Sequence, residues 1–178
     1  VALGKPPKKV DREALVHYAS MLLAQRAIST GDLRQKLRHK ALFAEDVEFV
    51  INQLTEYGAL NDARFAEAYA TARKDNQGFG QARVLRDLNR KRIPGDLARR
   101  AVSSTYAEAD EVAMIADYLA RKFRGKNLKE YLSEPKHLAS AFRRLRTAGF
   151  SSHNCMKVLR GYSPAAENLQ DEPDPAAE

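Results

Sequence analysis

The sequence predicts an all-α protein: three tandem repeats of three helices each, stacked into an elongated, curved body. Three observations lead there. Apolar residues recur at i, i+3, i+4 and i+7 over most of the chain, which places them on one face of a helix. Period-two alternation is absent and Val, Ile and Thr are sparse, so nothing reads as a strand. The pattern also repeats. A shift of 51 residues lays Tyr18 on Tyr69, Leu37 on Leu88, Leu42 on Ile93 and Ile51 on Val102, and a constant offset across three helices marks a tandem repeat.

Residues 1–10 contain two prolines and three lysines and are expected to form a disordered basic arm. The first repeat covers 11–60. Leu15, Tyr18, Ala19 and Leu22 share one face of its first helix. Ser29 and Asp32 have the spacing of a capping box at the start of the second, whose inner face is Leu33, Leu37 and Ala41. Val47, Val50, Ile51 and Leu54 line the third, and Gly58 suits its left-handed end.

The second repeat covers 61–107. Asn61 or Asp62 can cap its first helix, with Phe65, Ala68, Tyr69 and Ala72 facing inward. Gly78 and Gly80 permit a turn. Val84, Leu85 and Leu88 form the apolar side of the next helix, and Pro94 suits the first turn of the one after it, which buries Leu97, Ala101 and Val102. The third repeat covers 108–162 and opens on Glu108, Asp110 and Glu111, acids suited to a helix N-terminus. A polar stretch from Arg124 to Glu134 is longer than the matching loop elsewhere. Pro135 then opens a helix burying Leu138, Ala141, Phe142 and Leu145, which Gly149 ends; Cys155, Val158, Leu159 and Tyr162 repeat the pattern of the first unit at an offset of 108. Residues 163–178 read as a disordered acidic tail. A unit of this size is marginal alone, so the repeats are expected to bury their faces on one another.

Composition narrows the function. No apolar run is long enough to span a bilayer; the longest stretch free of formal charge is Ala14 to Gln25. The first residues have no secretory core, and a lone cysteine excludes an internal disulfide framework, so a cytoplasmic protein is expected. Net charge is +7, and because the last sixteen residues hold five acids and no base, residues 1–162 carry +12. A basic body implies an anionic partner, either nucleic acid or an acidic protein surface, and no membrane.

The chemistry of catalysis is missing. His17, His39, His137 and His153 have no zinc-ligand spacing, and Cys155 lies on an apolar helix face. Gly78-Phe79-Gly80 is neither a dinucleotide fingerprint nor a phosphate loop. No enzyme, metal or cofactor is expected. Binding remains. Arg83, Arg86 and Arg90 fall on one helical stripe, and guanidinium groups so placed can make paired hydrogen bonds to carboxylates or phosphates. Arg73, Lys74, Lys91 and Arg92 lie in the same repeat; Arg121, Lys122 and Arg124, then Arg143, Arg144 and Arg146, form similar groups in the third. The plain alternative is a solvated face with local acids such as Asp87, but acids are few there. Phe79 beside the stripe is expected to pack the turn rather than to stack on a base.

The runs NDARFAEAYATAR and QGFGQARVLRDLNRKRI resemble the central signature of the RecX family of bacterial recombination regulators. TGDLRQKLRHKAL and SAFRRLRTAGFS resemble the corresponding helices of that family's first and third repeats. Members often end the second helix of a repeat on Lys-Gly; here Ala41, Arg92 and Gly149 hold that position, and only the last keeps the glycine. A monomer is expected, and the resemblance implies a non-enzymatic protein that lodges in the groove of the RecA–DNA filament. It implies inhibition of filament growth, ATP hydrolysis, strand exchange and co-protease activity, and so control of recombination and repair. It leaves a second reading open: a stand-alone basic helical module that binds single- or double-stranded DNA through its phosphates.

Overall fold

The structure, a computed structural model, describes residues 9–169, and every regular element among them is helical. In chain order these are α1 Arg12–Gln25, α2 Thr30–Lys40, α3 Ala44–Glu56, α4 Asp62–Ala72, a π-turn Arg73–Gln77, α5 Gln81–Arg90, α6 Gly95–Tyr106, α7 Glu111–Lys122, a single turn α8 Leu128–Tyr131, α9 Pro135–Thr147, α10 Ser152–Arg160 and a 3-10 turn Pro164–Asn168. Local chemistry sets the starts. Asp11, Ser29, Asn61, Asp110 and Ser151 each accept a backbone N–H two or three residues on, satisfying amides that a helix start leaves unpaired. Only half of the Ser29–Asp32 capping box forms: Ser29 Oγ accepts from Asp32 N at 3.1 Å, while the Asp32 carboxylate is taken by Arg92 at 2.5 Å.

The chain divides into two compact units. One holds the described residues through Ala68 together with Leu88–Arg99; the other holds Tyr69–Asp87 and the described residues from Arg100 on. The division runs through α4, α5 and α6. In the first unit α1, α2 and α3 enclose Leu15, Leu33, Leu37, Val50 and Ile51. In the second, α7, α9 and α10 enclose Ile115, Leu119, Leu138, Phe142, Leu145 and Leu159, with Phe150 fully buried beside them. Cys155 lies in this core, as its apolar helix face suggested.

Each unit contains one copy of the same backbone junction. In the first, Ser29 Oγ donates to Lys91 O, and Gly31 lies so close to Arg92 that a Cβ would meet the Arg92 Cβ and carbonyl. In the second, Gly80 N donates to Ala148 O at 2.8 Å and Ala82 N to Gly149 O at 3.2 Å; a Cβ on Gly80 would strike the Gly149 carbonyl. Helix-ending geometry follows the residue available. Gly149 (φ 91°) and Arg92 (φ 58°) are left-handed, whereas Ala41 is extended at φ −63°, ψ 137°. A left-handed backbone costs a residue with a Cβ roughly 1–2 kcal/mol; Arg92 accepts it where its ion pair with Asp32 holds it.

Several expectations need correction. In α4 the fully buried residues are Ala66 and Ala70; Phe65 and Tyr69 are half-buried, and Ala68 and Ala72 face solvent. Alanines at 63, 66, 68, 70 and 72 encircle this helix, so apolar spacing does not select one face. Leu42 is 55% exposed although its counterpart Ile93 is buried, because the chain leaves Ala41 extended rather than left-handed. Residues 1–8 and 170–178, most of the expected arm and tail, lie outside the described residues. At their inner edges both segments are ordered. Val10 N donates to Lys40 O at 2.9 Å, and Leu42 N donates back to Val10 O at 2.8 Å. Residues 164–168 form the 3-10 turn, and Ala166 is buried in the second core.

Candidate functional site

The cations of the second unit are placed by the turn before α5. The π-turn Arg73–Gln77 ends on Gly78, which is left-handed at φ 61°. Arg121 fills the space where a Gly78 Cβ would sit and donates to Gln77 O at 3.3 Å. A cation at the carbonyl end of a helical turn is electrostatically favoured. Phe79 follows, half-buried against the core. Its carbonyl accepts from Tyr106 Oη at 2.5 Å, and the Arg83 guanidinium lies 3.9 Å from its ring centroid. Burial, with Asp75 nearby, pushes the Tyr106 hydroxyl up, so it remains a donor. Phe79 therefore packs the turn, as expected from its sequence context, and carries Arg83 on its outer face.

Arg83 meets residues from α9. Arg83, Tyr118, Ser140, Arg143, Arg144 and Thr147 line a shallow groove of about 230 Å³. A second groove of about 300 Å³ is lined by Asn76, Gln77, Phe79, Tyr118, Arg121 and Lys122. The two share Tyr118, a buried ring held edge-on to Phe150 with centroids 5.6 Å apart. Five cations thus border two grooves with a common wall. Arg83, Arg121, Lys122, Arg143 and Arg144 make no ion pair with a carboxylate among the described residues; their polar and ring contacts are neutral. Desolvation keeps unpaired charges near water, so such a cluster stays at the surface and is free to meet an external anion.

The other expected cations divide by role. Arg86 donates to Thr147 O at 3.4 Å, close to the first groove. Arg73 stacks 4.8 Å from the Tyr69 ring, and Lys74 donates to Thr105 O at 3.0 Å with Asp75 at 4.0 Å. Lys74 and Arg121 border another groove, about 590 Å³, where Asp75 and Asp117 offset them. Arg124 is exposed and borders none of these grooves. Arg146 turns inward and donates to Phe150 O at 2.7 Å, closing the end of α9. In the first unit Arg90 is exposed, Lys91 accepts from Ser29 through its carbonyl, and Arg92 is paired with Asp32. Arg92 and Arg146 are therefore committed to internal contacts. Sequence spacing linked Arg83 to Arg86 and Arg90; the structure brings it to Arg143 and Arg144, about 60 positions away, together with Tyr118 and Ser140, which no local pattern singled out.

A latch holds α7 to α10. Glu111 Oε1 accepts from Ser151 N at 2.9 Å, and Oε2 accepts from Ser151 Oγ at 2.6 Å and Asn154 Nδ2 at 2.5 Å. Burial alone would raise this carboxyl; the hydroxyl, amide and backbone donors, with Arg146 nearby, outweigh it and hold the group below its usual value. Among the described residues no cluster of His, Cys, Asp and Glu could hold a metal ion, and no helix is long and apolar enough to cross a membrane.

Comparison with known proteins gives a consistent picture. The family model described as "RecX, second three-helix domain" matches residues 61–102, the stretch of α4 to α6. "Regulatory protein RecX" of Amycolatopsis mediterranei is 30% identical over 152 residues, which span 84% of this chain and 86% of that protein. The protein of the same name from Deinococcus radiodurans is 32% identical over 153 residues, 86% of this chain and 70% of the relative. In fold, the chain is similar to the crystal structure of RecX from Lactobacillus salivarius, with a TM-score of 0.64 at 18% identity, covering 85% of this chain and 96% of that one.

Proposed function

The chain belongs to the RecX family of regulatory proteins, and from that membership we propose that it binds the RecA recombinase–DNA filament and restrains it without catalysis of its own. Filament growth, ATP hydrolysis, strand exchange and co-protease activity are the processes it inhibits, and it works in the cytoplasm as a monomer of three helical repeats with boundaries near 60, 107 and 162. The observation that carries this reading is the pair of grooves around Tyr118. Their five cations lack internal carboxylate partners, so the surface is complementary to an anionic filament. Arg83, Arg143 and Arg144 supply paired donors suited to a carboxylate or a phosphate, and Arg121 and Lys122 extend the same positive rim. Arg73, Lys74, Arg86, Arg90, Lys91 and Arg124 contribute to the field more than to the grip.

The test is RecA ATP hydrolysis on single-stranded DNA, with filament length followed by electron microscopy. Substoichiometric protein is expected to lower both. Unchanged hydrolysis and unchanged length at moderate salt contradict the reading. Tight binding to naked DNA with a steep salt slope, and no effect on RecA, would instead assign the grooves to nucleic acid alone.

A further inference from the structure

The junction found once in each unit has a corresponding position at either end of the repeat series, and both end positions are occupied by something that is not a repeat. The inference uses the repeat alignment and is independent of the partner proposed above. Lys40, Lys91 and Ala148 are equivalent, each the last residue before the turn that ends the second helix of a repeat. The Lys91 carbonyl accepts from Ser29 and the Ala148 carbonyl from Gly80, in each case from the start of the preceding repeat's second helix. Among the described residues no helix start meets Lys40. Its carbonyl accepts from Val10 N at 2.9 Å, and the short two-way pairing with Leu42 N completes the contact.

The other end mirrors this. His137 is equivalent to Ser29 and Gly80. Among the described residues no turn carbonyl of another repeat meets it. Instead the extra stretch 124–134 folds back as α8, and the Tyr131 carbonyl lies 3.2 Å from His137 Nδ1. The Tyr131 ring stacks on the imidazole at 3.9 Å and 14°, and Leu132 is fully buried behind it. This accounts for a stretch of sequence that the binding grooves leave unexplained.

We propose that Val10 and the α8 insertion are caps, each occupying the place that a neighbouring repeat takes at the other junctions, and that the occupant they exclude is a second copy of this chain. The two ends are complementary by construction: one offers a turn carbonyl, the other a helix-start donor. Contacts of that kind are heterologous and run on as rings or open filaments unless something blocks them, and repeat proteins need capped ends to stay soluble.

The complementarity gives a specific test. One variant lacks residues 1–10; the other has Lys126–Ser133 replaced by a short Gly-Ser linker. Each is followed by sedimentation velocity, with circular dichroism as the check on folding. Each variant alone has one open end and is expected to sediment as a single chain. Mixed at equal concentration, they are expected to give a species of twice that mass, which neither variant forms with the parent chain. Two folded variants that stay at single-chain mass on mixing overturn the proposal, as does a variant that associates equally well with itself. Leu132 belongs to the core, so the linker variant can fail to fold. Val10→Pro, which removes the N–H donated to Lys40 O, and Tyr131→Ala, which takes away the ring stacked on His137 but keeps the imidazole donor, then carry the same test, with the same two outcomes deciding it.

Discussion

Arg121 owes its position to a missing methyl group. Gly78 is left-handed, and its absent side chain leaves the space that the Arg121 guanidinium fills. Gly78→Ala is therefore expected to destabilise the protein by roughly 1–2 kcal/mol through backbone conformation alone, and to displace Arg121 from the groove it shares with Lys122. Urea unfolding measures the first effect. A substitution that costs nothing would show that the turn relaxes and that Arg121 does not depend on it. Arg92 and Arg146 teach the opposite lesson at the same scale. Both belong to basic clusters in the sequence, and both are used internally, one by Asp32 and one by the Phe150 carbonyl. Composition counts a charge; only its neighbours show whether it remains available.

At the scale of the element, the Glu111 latch ties the start of α7 to the start of α10. Its carboxyl is held below the ordinary 4.5, so the stabilisation it supplies is fully present above that value and is lost as pH falls through the lower folded value. Glu111→Gln is expected to be less stable than the parent at neutral pH, with the difference shrinking as the pH drops well below about 4. Denaturant melts at pH 7 and in the acid range follow it; a difference that does not change with pH removes the charge from the account. Helix faces were legible wherever large apolar residues recur with the helical period. Leu15, Leu37, Val50, Leu88, Leu138 and Leu159 are buried as their spacing implied. α4 was not legible in this way, because alanines surround it. The π-turn and α8 escaped for a different reason: each is a single turn, too short for any periodicity to register.

At the scale of the molecule, the proposed function rests on charge. Residues 1–162 hold +12, and the cations around Tyr118 are exposed enough to be screened by salt. Inhibition of RecA is therefore expected to weaken steadily as salt rises from about 0.05 to 0.3 M, over which the screening length falls from about 14 to about 6 Å; a titration at fixed protein in increasing salt reads it, and a salt-independent inhibition constant argues for an apolar contact instead. The helical class and the basic bias are visible before any coordinates, since each is a property of local spacing or of a sum. The groove is not. It joins Arg83 to Arg143 and Arg144 because the Gly80 backbone before α5 touches the Gly149 backbone after α9, and that proximity is a consequence of tertiary structure.

The measurement that bears most directly on the central claim is inhibition of RecA ATP hydrolysis by the triple substitution Arg83→Ala, Arg143→Ala and Arg144→Ala. Charge-assisted hydrogen bonds contribute roughly 1.5–3 kcal/mol each, so losing three is expected to raise the half-inhibitory concentration by at least about tenfold, even with strong non-additivity. These side chains lie outside the buried core, and thermal unfolding is expected to stay close to that of the parent. A folded triple variant that inhibits RecA as well as the parent would contradict the account.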